Sequence, residues 1–200
     1  IYSGNASSKG LDFELRVDSR IAPSLVVDPL RLQQILNNLV SNAIKFTESG
    51  SVSLHAQRAE RNGGIEVVRF IVEDTGAGIS EADRARLFQP FAQAGARHAG
   101  GTGLGLSICR SLAEMMGGTL EMTSTLGEGT SVILAMPMQV AAADSGRGHV
   151  PPGRVGGWRF RQLRGGLPGR EGGVLVAHPI ARLAEAQQRR RRHGRIVEPD

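Results

Sequence analysis

The chain of 200 residues is long enough for one domain of ordinary size plus an extension, and its 40% hydrophobic content suffices for one packed core although aromatics make up only 4%. No apolar run is long enough to span a bilayer, the first residues lack a signal-peptide pattern, and the lone Cys109 excludes an intramolecular disulfide and a cysteine zinc cluster. The net charge of +5 belongs to the tail: residues 141–200 hold 12 Arg, no Lys and 5 acids, so residues 1–140 carry 12 basic against 14 acidic side chains.

In chain order, Leu11–Val17 alternates apolar and polar residues, which predicts a half-buried strand, and Ser24–Val27 predicts a short second one. Asp28-Pro29 then sets a good N-cap before a good first helical residue. Leu32, Ile35, Leu36, Leu39, Val40 and Ala43 follow at helical spacing as one buried stripe, and Gly50 ends the unit. Val52–Gln57 and Ile65–Glu73 read as strands of a hairpin that turns within Glu60–Gly64. A short helix is expected over Glu81–Phe88, and a mobile loop of low apolar content over Gln93–Gly101. A second amphipathic helix is expected over Leu104–Met116, ended by Gly117-Gly118. Leu120–Thr123 and Thr130–Met136 close the domain as strands. Strands joined mainly by hairpins favour an α+β fold, a two-layer α/β sandwich with a mixed, mostly antiparallel sheet and helices on one face, over a doubly wound parallel sheet.

Three stretches carry chemistry. On the first helix Asn38 and Asn42 stand four residues apart on one face, with Lys45 about one turn further along. Two amide oxygens and an ammonium suit a magnesium triphosphate, although such residues alone are also the ordinary solvated side of an amphipathic helix. The second stretch, Val72-Glu73-Asp74-Thr75-Gly76-Ala77-Gly78-Ile79, puts a carboxylate at the end of a buried strand, where it can accept from an exocyclic amine while the glycines let a flat base approach. Alone it is also an ordinary turn. The third, Gly100-Gly101-Thr102-Gly103-Leu104-Gly105-Leu106, opens a helix with exposed backbone N–H groups and makes an anion site. Its spacing is neither the dinucleotide fingerprint nor a Walker loop.

Taken together, N-x-x-x-N-A-x-K-F, D-x-G-x-G, F-x-x-F and G-T-G-L-G-L in this order closely resemble the N, G1, F and G2 boxes of sensor histidine kinases, over about Leu11 to Met138. The resemblance implies the GHKL-type (Bergerat) fold and ATP and Mg²⁺ as ligands. It makes Asn42 the Mg²⁺ ligand and places Asn38 and Lys45, the two residues expected to act in catalysis, on the phosphates. Asp74 would read the adenine amine, with Gly76 and Gly78 making room for the base. Phe88 and Phe91 would anchor the ATP lid, and Arg97 would lie in it near the γ-phosphate. Gly101, Thr102, Gly103, Leu104 and Gly105 would form its hinge and phosphate cradle, and Thr130 would meet the base through water.

The expected reaction is transfer of the γ-phosphate to a histidine ring nitrogen, which needs positioning and charge neutralisation more than covalent chemistry. ATP hydrolases of the gyrase, Hsp90 and MutL kind resemble the chain too, but they place a glutamate at the Asn38 position to activate water. A non-catalytic nucleotide-sensing module is a further alternative. The five histidines, His55, His98, His149, His178 and His193, all lack the family's phosphoacceptor setting. The resemblance therefore implies a dimerising phosphoacceptor domain before residue 1, and a chain that binds ATP without phosphorylating itself. A response-regulator receiver domain would act downstream, and the parent protein would be a homodimer in the bacterial inner membrane with this domain in the cytoplasm. The core looks most like hybrid kinases of the BvgS and EvgS kind.

The tail from about Ala141 holds 11 of the 27 glycines and the Arg189–Arg192 run. Such a cluster can bind nucleic acid or an acidic membrane, but no specific nucleic-acid partner is expected. The segment reads as a disordered linker or as the out-of-frame product of a GC-rich gene.

Overall fold

The computed structural model describes residues 2–87 and 105–141, together with the strands 153–155, 158–161 and 173–176. In chain order its elements are helix α1 (Tyr2–Ser8), strands β1 (Asp12–Val17) and β2 (Ser24–Val27), helix α2 (Pro29–Phe46), and strands β3 (Ser51–Asn62) and β4 (Ile65–Asp74). Helices α3 (Glu81–Leu87) and α4 (Gly105–Met115) follow, then strands β5 (Thr119–Thr125) and β6 (Gly129–Val140). Past them come β7 (Gly153–Val155), β8 (Trp158–Arg161) and β9 (Gly173–Val176).

The long helix forms where the caps predict it. Asp28 is extended and accepts from the Leu30 and Arg31 amides at 3.0 and 3.1 Å, which leaves Pro29 at a position where no amide donor is needed. Its buried stripe is Leu32, Ile35, Leu36, Leu39, Val40, Ala43 and Ile44, one residue more than the periodicity predicts. This stripe covers Val52, Leu54, Ala56, Val68, Phe70, Val72, Leu134 and Met136 in a single core. Each fully buried aliphatic side chain there contributes roughly 1.5–3 kcal/mol.

The sheet is mixed. β1 pairs with β3 in parallel, and β3–β4, β4–β6, β5–β6 and β2–β6 are antiparallel. β4 lies along one side of β6 for ten residues, while β5 takes the start of its other side and β2 only Gln139 and Val140. The β3–β4 strands run further than predicted, to a two-residue Gly63-Gly64 turn, with Gly63 at φ +57°. β9 extends the sheet by pairing antiparallel with β2, and β8 and β7 follow it.

α4 packs against α2 and β5. Its end follows the glycines: the Gly117 amide reaches the Glu114 carbonyl and the Gly118 amide the Ala113 carbonyl, with Gly117 at φ +77°. The sequence pattern does not predict α1. This helix is held to α2 at both ends, by the Tyr2 hydroxyl on Asn37 Oδ1 and by Lys9 Nζ at 2.8 Å from each of the Ile44 and Lys45 carbonyls. Among the described residues no helix is long and apolar enough to cross a membrane.

Candidate functional site

α2 connects two parts of the site: the start of α4 packs on Asn38 near its middle, and the turn after β4 packs on its end at Phe46 and Thr47. On α2 the Asn42 side-chain amide donates to Asn38 Oδ1 at 2.8 Å, and both residues are half-buried. That bond assigns the two amides opposite capacities. Asn38 keeps its N–H donors for an anion, and Asn42 keeps its carbonyl oxygen for a cation. Gly105, the first residue of α4, lies against the Asn38 amide: a Cβ there would sit 2.8 Å from both Nδ2 and Oδ1. Lys45 is exposed at the end of the same helix, its ammonium 5.0 Å over the Phe46 ring.

Asp74 closes β4 between Val52 of β3 and Thr130 of β6. Burial pushes its carboxyl above the usual carboxylate range, against the backbone amides of Gly76 and Thr130, which favour the ionised form. The Gly76 amide donates to Oδ1 at 2.9 Å. A Cβ on Gly76 would approach the Phe46 carbonyl oxygen to 2.7 Å and Thr47 Oγ1 to 3.1 Å, so only a glycine lets this turn pack on the end of α2. Thr47 itself is fully buried, its hydroxyl donating to the Ala43 carbonyl at 2.7 Å.

The demand on Gly78 comes first from the protein. It is at φ +65°, and a Cβ would collide with the Thr125 carbonyl where the loop docks on the β5–β6 turn. The Gly127 amide meets the Ala77 carbonyl at 2.7 Å, and the Ile79 amide meets Ser124 Oγ at 2.8 Å. Thr130 joins through its hydroxyl, 2.9 Å from Ser124 Oγ.

Asn38, Asn42, Asp74, Gly76, Gly78, Gly105 and Thr130 are thus placed on α2, on β4 with the loop after it, on α4 and on β6, with Lys45 on the same helix as the two asparagines. Phe88, Phe91, Arg97, Gly101, Thr102, Gly103 and Leu104 lie outside the described residues. Sequence reasoning missed Ser124 and Thr47. A buried threonine just past a helix end and a serine ahead of a glycine turn were the available signals, and each is common in sites without function. Among the described residues no group of three or more His, Cys, Asp or Glu is placed to hold a metal ion.

The profile of the histidine kinase-, DNA gyrase B- and HSP90-like ATPases matches residues 27–140. The chain belongs to this family. The virulence sensor protein BvgS of Bordetella bronchiseptica is 45% identical over 156 residues, which cover 76% of this chain and 12% of that protein. The sensor histidine kinase GacS of Pseudomonas protegens is 41% identical over 94% of this chain and 19% of its own length. The signal transduction histidine-protein kinase BarA of Escherichia coli is 42% identical over 66% of this chain and 15% of its own. The chain therefore spans less than a fifth of the length of these curated relatives. Among solved structures, full-length ShkA in complex with AMPPNP superposes with a TM-score of 0.60 at 40% identity, covering 70% of this chain and 28% of that one. The catalytic domain of histidine kinase ThkA gives 0.53 at 28% identity, over 68% of this chain and 86% of its own. Within the family this is a catalytic domain of the histidine-kinase type, with the two-layer fold and mixed sheet that the sequence predicts.

Proposed function

We propose that this domain binds ATP with Mg²⁺ and donates the γ-phosphate to a histidine ring nitrogen on a dimerisation domain elsewhere in a parent sensor kinase. The observation that carries the reading is the Asn42–Asn38 hydrogen bond beside Gly105. It supplies one amide oxygen for a hard cation and amide donors for phosphate, at the place where α4 begins. Asp74 stays half-buried where the Gly76 turn packs closely on the end of α2, so its carboxylate can accept from an adenine amine. Bound Mg²⁺ would neutralise phosphate charge and hold the triphosphate oriented. In this reading Asn38 holds the phosphates and Asn42 holds the cation. Lys45 offsets the charge on the transferred group, while Asp74 orients the nucleotide through its base. Phe88, Phe91, Arg97 and Gly101–Leu104 complete the lid, and residues 1–140 form the nucleotide-binding unit. A receiver domain takes the phosphoryl group next, and the parent protein is a membrane-bound homodimer.

Asn38 has no basic group with which to activate water, which favours transfer to a protein over hydrolysis. ATP with Mg²⁺ at about a hundred times its Kd is expected to stabilise the chain by about 2.7 kcal/mol. Asn42→Ala is expected to remove the Mg²⁺-dependent part. Labelled ATP should leave the chain alone without acid-labile label, and label should appear on an added phosphoacceptor domain. Thermal shift without any response to ATP and Mg²⁺ would refute the reading.

A further inference from the structure

Ser124 lies on β5 outside the three stretches that carry chemistry in the sequence, yet its hydroxyl joins three groups of the site. The Ile79 amide donates to Ser124 Oγ at 2.8 Å, the Gly129 carbonyl oxygen lies 2.8 Å away, and Thr130 Oγ1 lies 2.9 Å away. A carbonyl only accepts and an amide only donates, so the single Ser124 proton goes to Gly129. The bond between the two hydroxyls must then use the proton of Thr130. With that proton committed, Thr130 has only lone pairs to offer a ligand. Its register partner Asp74, when ionised, is an acceptor as well.

We propose that Ser124 is a positioning residue that makes the base end of this pocket acceptor-only, so that it takes a 6-amino purine and rejects a 6-oxo purine. The exocyclic amine of the first donates two hydrogens, toward Asp74 and, directly or through one water, toward Thr130. The O6 of the second only accepts, and it would face two acceptors with no proton between them. The rigid frame keeps the arrangement in place. Gly127 and Ile79 tie the loop to the β5–β6 turn, and a Cβ on Gly129 would collide with the Asp74 carbonyl. Without Ser124 the Thr130 hydroxyl can turn its proton toward the ligand, and the discrimination falls.

This inference rests on the nucleotide reading and deepens it. The test measures Kd for non-hydrolysable ATP and GTP analogues with Mg²⁺ on the full chain by calorimetry. The wild type is expected to prefer the adenine analogue, and Ser124→Ala to narrow that preference by roughly tenfold, the size expected when one buried polar pairing is lost. Ser124→Thr, which keeps the hydroxyl, restores it. If Ser124→Ala weakens both analogues equally, the serine is structural only and the inference is overturned. Should that variant not fold, Thr130→Val, which keeps the shape and removes the acceptor, must narrow the preference too; an unchanged ratio overturns the inference. A wild type that binds both analogues equally also overturns it. A wild type that binds neither overturns the nucleotide reading itself, and this inference with it.

Discussion

Strand β4 points a carboxylate toward the helix layer near each of its ends, with Val68, Phe70 and Val72 buried between them. At one end Glu66 is fully buried and accepts from the Ala22 amide at 2.9 Å, tying the loop before β2 to the sheet. At the other, Asp74 is only half-buried and accepts from the Gly76 and Thr130 amides, beside a glycine turn that packs on the end of α2. The two acids share a strand and a face, and burial alone would rank Glu66 as the stronger candidate for function. What separates them is access. Glu66 spends an oxygen on the backbone inside the core, whereas Asp74 is held by amides at an edge where a ligand can still reach it. A buried acid becomes a site only where the surrounding chain supplies both donors and an opening.

Four measurements test that contrast. The largest effect is expected for Asp74→Asn, which should weaken nucleotide binding by about a hundredfold, the scale of a hydrogen bond to a charged group. It should leave thermal stability equal or higher, because a partly desolvated charge is removed. Wild-type affinity in this variant would end Asp74's role. Glu66→Ala should do the opposite. It strands the Ala22 amide and opens a void in the core, so denaturant unfolding should show a loss of about 1–3 kcal/mol. Nucleotide affinity should stay within about twofold, since the two sites share no contact and distant effects add independently.

The pH dependence of binding is the third measurement. The Asp74 carboxyl sits above its usual range through burial, so it gains its proton at higher pH than a free aspartate. Affinity for the adenine analogue should therefore fall as pH drops through that raised value, and Asp74→Asn should flatten the profile. In the ligand-free chain the sign reverses. The buried charge costs stability at neutral pH, and this cost is relieved as pH falls through the folded value. The smallest effect is expected for Asp18, whose carboxyl is held down to about 2, first by the Arg20 side chain. Its contribution is fully present above about pH 4 and is lost as pH falls toward about 2. Asp18→Asn should cost at most half of the Glu66→Ala loss, and only on the neutral side of that window.

Much of this contrast was legible in the residues, and part of it was not. Asp74 stood out because a carboxylate after a buried β-run and before two glycines is an uncommon local pattern. Glu66 did not, because the residue whose amide it accepts from lies 44 positions earlier in the chain. The α2 stripe followed from helical spacing, yet Ile44 was missed because the stripe is wider than the residues that repeat most regularly. α1 escaped altogether. Tyr2-Ser3-Gly4-Asn5 has weak helical propensity, and the helix owes its place to Tyr2 and Lys9 gripping α2.

The order of the elements from β1 to β6, the N-cap of α2, the glycine end of α4, the family, and which residues at each stretch could meet a nucleotide are all legible in the sequence. These are short-range properties, written in spacing, in capping chemistry and in glycines that no other residue replaces. Tertiary structure alone decided how those stretches complete one another. It set the Asn38 amide against Gly105, docked the Gly76–Gly78 loop on the β5–β6 turn, and made Ser124 the junction behind Asp74 and Thr130. The reason is geometric. A hydrogen bond has a direction and a length, and which partner fills it across dozens of residues is settled only when the sheet and helices have packed.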